Sequence, residues 1–317
     1  MIKILAVIAG LVAAASAAAQ TWPARPIQMV VPYAPGGIVD FIARTLGQRL
    51  SQQVGQPVVI DNRAGAGGMI GIEYTARSSA DGHTLVLMDP AVVINPVLQE
   101  KALYEMKDLA TVAVIGSSPL VLTVYPKLPV KDVAQLVQFA KANPGKLNFA
   151  TPGIGTTPHM AGELLKARAG IDMAHVPYKG SGPAMADLAA GQVQVGFSSI
   201  TGALPFIKDG RLRALATSGP NRSAALPDLP TFIEVGYPGF EVDLWLGIFA
   251  PANTPAASVA RINAEIRGAL RDPAVMAAFA KVGVEPRSAN PEESAHFVRA
   301  EHDKWAQVVT GAKLRLK

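Results

Sequence analysis

Hydrophobic residues follow two spacings along the chain, and the two spacings alternate. Short apolar runs of strand length occupy residues 27–31, 58–60 and 84–88. Between the first two runs, apolar residues recur at every fourth position, at Ile42, Leu46, Leu50 and Val54. That spacing predicts one face of a helix, and Gly55 suits the left-handed residue that ends it. Strands alternating with helices predict a mostly parallel sheet with helices on its faces.

The same alternation starts again after residue 120. Strands are predicted at 121–124, 147–150, 173–176, 193–197 and 212–216, with helices between them at 133–140, 158–169 and 183–190. A connector rich in Pro and Gly follows, then an apolar run at 242–250 and helices that begin near 255, 273 and 291. We therefore predict an α/β protein of two lobes, each with a mostly parallel sheet flanked by helices. Residues 20–121 and 233–317 form lobe one, residues 122–232 form lobe two, and the two crossovers between them form a hinge.

Residues 1–19 have the composition of a secretory signal. Lys3 supplies a positive charge, residues 4–12 are apolar, and Ala17-Ala18-Ala19 fits a cleavage site before Gln20. The apolar run is shorter than the roughly 20 residues that span a bilayer, and a membrane anchor or an ordinary buried helix is the alternative. We predict a cleaved signal peptide at residues 1–19 and a periplasmic protein.

Composition narrows the chemistry. The chain has no cysteine, so disulfides, thiolate catalysis, zinc–thiolate sites and iron–sulfur clusters are excluded. Removal of Lys3 with the signal leaves 28 basic residues against 24 acidic ones, a net charge of +4. This surplus either raises the local concentration of anionic ligands or only aids solubility. The basic residues are scattered and 6% of residues are aromatic, so nucleic-acid binding is not expected.

A glycine-rich segment connects the first predicted strand to the first predicted helix. It contains Tyr33, Pro35, Gly36, Gly37, Ile38, Val39 and Asp40. Two adjacent glycines leave backbone N–H groups uncovered, and the helix that follows directs its free N–H groups and its positive dipole end into the same space. This arrangement suits an anion. Asp40 either caps the helix, accepts a hydrogen bond from a ligand, or holds the loop in shape.

A second segment repeats this arrangement in lobe two. It contains Thr151, Gly153, Gly155, Thr156, Thr157 and His159. The helix is expected to begin at Pro158, with Thr156 or Thr157 as its N-cap. The hydroxyls and backbone amides can hold a carboxylate oxygen. The G-x-G here lacks the third glycine of a dinucleotide fingerprint, and the sequence contains no P-loop motif.

His159 has three candidate roles: general base, metal ligand, or a hydrogen-bonding residue near the loop. His175 follows sixteen residues later, a spacing unlike that of metal motifs, and the five histidines do not cluster in the sequence. Neither a G-x-S-x-G elbow nor a paired-carboxylate motif is visible. The sequence therefore predicts no metal, no cofactor and no catalytic residue, and a structural role for His159.

Three further loops follow predicted strands, at the sheet edge where ligands bind in open α/β sheets. They contribute Asp89, Tyr178, Ser198 and Ser199 to the predicted ligand site. For Tyr178 and Lys179, a surface turn is the alternative. Another glycine-rich loop carries Arg63. The loop could present Arg63 to an anion, and we expect it instead to stabilise lobe one through backbone contacts.

Taken together, these segments resemble those of one family. They include Trp22-Pro23, Val31-Pro32-Tyr33 before Pro35-Gly36-Gly37 and Asp40, Asn62-Arg63 before Gly65-Ala66-Gly67-Gly68, Pro144-Gly145-Lys146-Leu147, and His175-Val176-Pro177-Tyr178-Lys179-Gly180. The chain after the signal resembles the tripartite tricarboxylate transporter substrate-binding proteins, also called the Bug family from Bordetella. The resemblance implies a periplasmic-binding-protein (Venus-flytrap) fold with the ligand between two lobes. It also implies that the loop before Asp40 and the loop from Thr151 to His159 grip the ligand, with a carboxylate held largely by backbone and hydroxyl groups and partly through water.

The function implied by this resemblance is capture of a small carboxylate-bearing molecule and its delivery to the membrane permease subunits of a tripartite tricarboxylate transporter. The first alternative is a ligand-loaded sensor that docks on a signalling receptor such as a sensor kinase. A hydrolase or lyase that uses the same cleft is the second. Ile38 and Val39 make the first loop apolar, which leaves room for an aliphatic or aromatic ligand body. We expect a monomer.

Overall fold

Helices and strands alternate along the chain, as the hydrophobic spacing predicts. The computed structural model describes residues 22–178, 180–311 and 314–315. The predicted signal at residues 1–19 lies outside these ranges, as does Lys179. Within them, no helix combines the length and the apolar character needed to cross a membrane.

The first part of the chain supplies three strands, each followed by a helix. They are β1 (Ile27–Val31), α1 (Ile38–Val54), β2 (Val58–Asn62), α2 (Met69–Ala76), β3 (Thr84–Met88) and α3 (Ala91–Leu98). Strand β1 lies between β2 and β3 and runs parallel to both. Gly55 ends α1 in the left-handed conformation (φ +72°), as its position after the apolar stripe predicts.

The middle of the chain forms a second group of elements. They are β4 (Leu109–Val124), α4 (Val133–Ala142), β5 (Asn148–Thr151), α5 (Thr157–Ala169), β6 (Ala174–Pro177), α6 (Ser181–Ala190), β7 (Val195–Ser199), α7 (Ile200–Lys208) and β8 (Arg213–Thr217). Strand β5 is parallel to both β6 and β7, whereas β4 runs antiparallel to β7 and β8.

The last part of the chain returns to the first sheet. It supplies β9 (Asp243–Pro251), α8 (Ala256–Ala269), α9 (Pro273–Lys281), the short β10 (Glu285–Pro286) and α10 (Pro291–Gly311). Strand β9 lies between β3 and β4 and is antiparallel to both. The predicted parallel pairing therefore holds for the outer strands, and the sheets become mixed where β4 and β9 carry the chain between lobes.

Strand β4 connects the two lobes of this Venus-flytrap fold. Its residues 109–119 pair with β9, and its residues 120–124 pair with β7. The return crossing lies beside it, because Ser218 Oγ accepts a hydrogen bond from Leu120 N at 2.8 Å and donates one to Val242 O at 2.5 Å. One serine thus ties both crossing segments together at the place where the sequence predicts the hinge. The exact residues at which one lobe ends and the other begins stay a prediction.

Apolar packing on the faces of the sheets fixes the helices and, with them, the loops at the strand ends. Helices α1 and α8 cover one face of the first sheet through Ile42, Ile262 and Ile266, each at most 1% exposed. Trp245 on β9 and Trp305 on α10 are fully buried. Both indole N–H groups donate to a Glu301 carboxylate oxygen, which anchors α10 on the sheet.

Two elements escape the sequence patterns. Helix α3 contains Pro96 and consecutive β-branched residues, a composition more typical of a strand. The first half of β4 is not recognised because Gly116, Ser117 and Ser118 interrupt its apolar run. Ser117 and Ser118 are nevertheless buried, since β4 pairs with β9 on one side and with β10 on the other at this point.

Candidate functional site

The first glycine-rich loop ends in an open helix N-terminus. Helix α1 begins directly after Gly37, which is its N-cap in an extended conformation (φ −80°, ψ 173°). Gly36 has φ +94°, a backbone conformation that favours glycine. The first intrahelical hydrogen bond runs from Phe41 N to Gly37 O at 2.9 Å, so the amides of residues 38–40 precede it. These amides and the dipole end of α1 can accept an anion.

Asp40 holds this loop in shape. Its Oδ2 accepts hydrogen bonds from Gly36 N (3.0 Å) and Arg44 Nε (3.0 Å), and its Oδ1 accepts from Arg44 Nη2 (2.9 Å) and Asn62 Nδ2 (2.9 Å). Asn62 also donates to Tyr33 O at 3.0 Å. The hydrogen bond from Arg44, helped by those from Gly36 and Asn62, lowers the Asp40 pKa to about 2. Of the three roles considered for Asp40, these contacts match the third.

The second glycine-rich loop has the same plan in lobe two. Helix α5 begins one residue earlier than predicted, and Thr156 is its extended N-cap. Gly153 and Gly155 both have positive φ, +152° and +77°. The Thr151 and Thr156 hydroxyls both donate to Gly153 O, at 3.1 and 2.8 Å. The hydroxyl of Thr156 therefore folds the loop instead of capping the helix.

His159 binds one of the loop amides, that of Gly155, which the sequence predicts to be free for a ligand. Its Nδ1 accepts a hydrogen bond from Gly155 N at 3.2 Å, and the ring is 5% exposed. Burial lowers the His159 pKa to about 3, with the neighbouring His175 adding to the effect. A neutral imidazole that serves as an acceptor for its own loop is a structural group, as the sequence predicts.

The two loops approach the same region between the lobes. A Cβ on Gly155 would lie 3.5 Å from Oδ1 of Asn95, a residue of α3 in lobe one. Asn95 Nδ2 donates to Gly67 O at 2.9 Å. A Cβ on the next residue, Gly68, would lie 3.4 Å from Pro32 Cβ, directly before the first loop. The loop of lobe two thus lies beside α3 of lobe one, and α3 is linked through Gly67 and Gly68 to Pro32 at the start of the first loop.

Tyr33 and Asp89 form a pair at the ends of neighbouring strands. Tyr33 Oη donates to Asp89 Oδ2 at 2.9 Å, and Asp89 Oδ1 accepts from Ala91 N at 2.9 Å. Burial raises the pKa of both side chains. The pair supports the first loop from below, and the Tyr33 hydroxyl proton is directed to Asp89.

Two more predicted residues use their hydroxyls within the protein. Tyr178 Oη donates to Asp187 Oδ2 at 2.7 Å, and Tyr178 N donates to Thr151 O at 2.9 Å. Ser199 is the N-cap of α7 and accepts from Gly202 N at 3.2 Å. The Tyr178 ring also packs against the apolar cluster beneath α6, and a ligand contact by Tyr178 or Ser199 stays a prediction.

Two hydroxyls of the predicted site are buried without a hydrogen-bond partner in the described part of the chain. They belong to Thr157, 2% exposed, and Ser198, 6% exposed. Thr157 is the first residue of α5, and Ser198 stands at the carboxyl end of β7. Because buried polar groups nearly always have a partner, an orphaned hydroxyl at a strand or helix end indicates a ligand or an ordered water.

Sequence patterns do not identify all the residues that hold the two glycine-rich loops in place. Four residues outside the predicted site each fix a loop by a hydrogen bond: Asn62, Arg44, Asn95 and His175. The spacing of Asp40 and Arg44, four residues apart on one helix, is the one local signal that could have indicated an ion pair. The described residues contain no group of three or more His, Asp or Glu side chains placed to hold a metal ion.

Comparison with known proteins gives this geometry a context. Residues 42–314 match the family model described as tripartite tricarboxylate transporter family receptor. The chain belongs to this family. Protein BugT of Bordetella pertussis is 41% identical over 324 residues, which cover 99% of each chain.

Solved structures show the same fold. The periplasmic binding protein BugD has a TM-score of 0.80 at 33% identity, with 93% of this chain and 100% of that chain covered. The R. palustris protein Rpa4515, solved with adipate, has a TM-score of 0.81 at 34% identity, with 92% of this chain and 98% of that chain covered. The expected fold and family are thus confirmed, and the family and these neighbours are binding proteins.

Proposed function

We propose that this protein captures a small carboxylate-bearing solute between its two lobes in the periplasm and delivers it to the permease subunits of a tripartite tricarboxylate transporter. The observation that carries the proposal is the approach of two glycine-rich loops, one per lobe, each ending in an open helix N-terminus. The orphaned hydroxyls of Thr157 and Ser198 support it, because each lacks the acceptor that a carboxylate oxygen would supply. Family membership and the adipate bound to a relative support the ligand class.

The proposed contacts are sufficient for useful affinity. Hydrogen bonds to a charged group contribute roughly 1.5–3 kcal/mol each, and each helix N-terminus adds about 0.3–1 kcal/mol. Micromolar binding needs about 8 kcal/mol. Four to six such bonds, from amides of residues 38–40 and from the hydroxyls above, reach that value after ordering is subtracted. No arginine is required.

The rest of the solute would contact apolar surface. Ile38 is half-buried at the start of α1, and Ile154 at the tip of the second loop is 51% exposed. An aliphatic or aromatic body between these side chains would remove both from water. We therefore propose an acid with an apolar chain or ring, for which adipate is the first probe.

Closure of the lobes would complete the site. A solute shifts the open and closed forms only by binding the closed form better, and only the closed form brings both loops against it. The hinge of β4 and the segment at Ser218 permits rotation while keeping both lobes intact. We propose capture without catalysis, because Asp40 and His159 already use their oxygens and Nδ1 to hold the loops.

The decisive experiment is recovery of the solute. Protein purified from periplasmic extract is analysed by native mass spectrometry, and calorimetry then measures binding of adipate, malate, citrate and benzoate. We expect a co-purified acid, recovered unchanged, or at least one acid with a micromolar Kd. Intact mass also tests the signal, since cleavage predicts a chain that begins at Gln20. Failure of every acid to bind, with an empty purified protein, would refute the ligand class.

A further inference from the structure

Three stacked rings lie beneath the loop of lobe two. Phe149 comes from β5, His175 from β6 and His159 from α5. Ring centroids are 4.8 Å apart for Phe149 and His175 and 4.1 Å apart for His159 and His175. Gly162 on α5 faces the Phe149 ring, and a Cβ at that position would overlap it. Helix and strands therefore hold the two imidazoles in fixed contact.

Each imidazole makes one hydrogen bond to the loop. His159 Nδ1 accepts from Gly155 N at 3.2 Å. His175 Nε2 lies 2.6 Å from Thr151 Oγ1, and that hydroxyl donates to Gly153 O at 3.1 Å. His175 Nε2 and Thr151 Oγ1 share one hydrogen bond, in which either atom can donate. The acceptor role of Nδ1 assigns the neutral Nε2–H tautomer to His159.

The surroundings keep both rings neutral. Burial lowers the pKa of His159 to about 3 and the pKa of His175 to about 4. The ammonium of Lys166 lowers both further, and that group pairs with the buried Glu163 at 2.9 Å. Two imidazolium rings at the observed separation would repel each other, so protonation of one ring opposes protonation of the other.

We propose that His159 and His175 are positioning residues: as a neutral stacked pair they hold the lobe-two loop in its ligand-binding shape, and protonation of the pair releases the loop. A proton on His159 Nδ1 would place a donor against the Gly155 N–H donor and break that hydrogen bond. The inference rests on the proposed function, because the loop is taken to hold the solute. His175, sixteen residues from His159 and outside both loops, gains a role in the site.

Matched variants separate the hydrogen bonds from the titration. His159→Asn keeps an acceptor near the position of Nδ1, and His175→Gln keeps a donor near the position of Nε2, yet neither titrates. His159→Leu and His175→Leu remove the hydrogen bond and keep apolar volume. Hydrogen–deuterium exchange of the peptide covering residues 151–157 is measured for each variant beside wild type at the same pH, so intrinsic exchange rates cancel.

At pH 7 we expect wild type, His159→Asn and His175→Gln to exchange alike in this peptide, and the Leu variants to exchange about tenfold faster. At pH 2.5, below the His159 pKa of about 3, the wild-type loop should become nearly as fast as the Leu variants, whereas the double variant that combines His159→Asn with His175→Gln keeps its protection. Peptides from β1 and α1 serve as the folding control. Equal loop protection in folded Leu variants, or a wild-type loop unaffected by acid, would overturn the proposal.

Imidazole titration by NMR gives a second test that needs no variant. His159 should show the Nε2–H tautomer, and neither ring should titrate above about pH 5 in a buried, stacked site. Titration of either ring near the ordinary pKa of about 6.5 would overturn the proposal. Adipate affinity at pH 7 is measured alongside: if adipate and the other acids bind no form of the protein, the proposed function fails, while loop exchange still decides the role of the pair.

Discussion

Substitution of Gly37 tests ligand binding independently of folding. Its backbone is extended (φ −80°), and a Cβ built there would meet no atom within 4 Å. Gly37→Ala therefore introduces neither strain nor a clash. Alanine is a poorer N-cap than glycine by about 0.5–1 kcal/mol, and it stabilises by about 0.4–1 kcal/mol through the unfolded chain. These effects nearly cancel, so Tm should stay within about 3 °C of wild type.

Binding should respond very differently. The added methyl group stands beside the amides of residues 38–40, where the carboxylate is proposed to approach. Loss of one hydrogen bond to a charged group removes roughly 1.5–3 kcal/mol from binding, which raises Kd about 10- to 100-fold. Calorimetry with the co-purified solute, or with adipate, measures this change beside a thermal melt.

The matched control is Gly311→Ala, at the end of α10, where a Cβ also meets no atom within 4 Å. It should leave Kd unchanged and raise Tm by a few degrees at most, because alanine in a helix is more stable than glycine by about 0.4–1 kcal/mol. Gly155 cannot serve for the same test, because it has φ +77° and a Cβ there would lie 3.2 Å from Leu98 Cδ2. Unchanged affinity in Gly37→Ala would refute the assignment of the α1 N-terminus to the site.

Three further predictions test the loop, the ligand body and the hinge. Asp40→Asn removes the ion pair to Arg44 and should lower the free energy of unfolding by roughly 1.5–3 kcal/mol at pH 7. Because the Asp40 pKa is lowered to about 2, urea melts should show the difference from wild type closing as pH falls toward 2. A difference that does not change with pH would contradict this prediction. Ile154→Thr should weaken adipate binding several-fold, by roughly 1 kcal/mol, and leave malate nearly unchanged, with equal losses arguing against an apolar contact. Burial raises the pKa of Asp243 to about 6, so its carboxyl favours folding most below pH 4 and loses roughly 2–3 kcal/mol as pH rises through 6. Asp243→Asn should flatten urea stability between pH 4 and 6, and an unchanged slope would show that Arg287 already compensates the charge.

The sequence predicts a helix or strand well where turn residues and apolar spacing mark the same boundaries. Strand β3 matches its predicted range because a turn at Asp81-Gly82 precedes a uniformly apolar run. Helix α3 is missed because Val92, Val93 and Ile94 favour strands in isolation, whereas burial against the first sheet decides their conformation. In both α3 and β4, tertiary packing overrides the local preference for helix or strand. A local sequence pattern carries no information about that packing.

The residues of the candidate site also fall into two groups, one that the sequence predicts and one that it does not. The glycines, the threonines and Asp40 are contiguous in sequence, so their association with helix N-termini could be predicted from two short segments. Their supports come from elsewhere: Asn62 reaches Asp40 from the end of β2, and Asn95 reaches Gly67 from α3. Such partners depend on which strands are neighbours, and strand order is a property of the whole fold.

The electrostatics of the two loops explain how one fold can accept different acids. Asp40 is neutralised by Arg44, and the Asp187 carboxylate is held by the Tyr178 hydroxyl. In the proposed site, the field that a solute meets would then come largely from the N-termini of α1 and α5. Backbone amides recognise a carboxylate without fixing what is attached to it. Selectivity must then arise from the side chains that line the remaining space, which places it on residues such as Ile38 and Ile154 and not on the anion-binding turns.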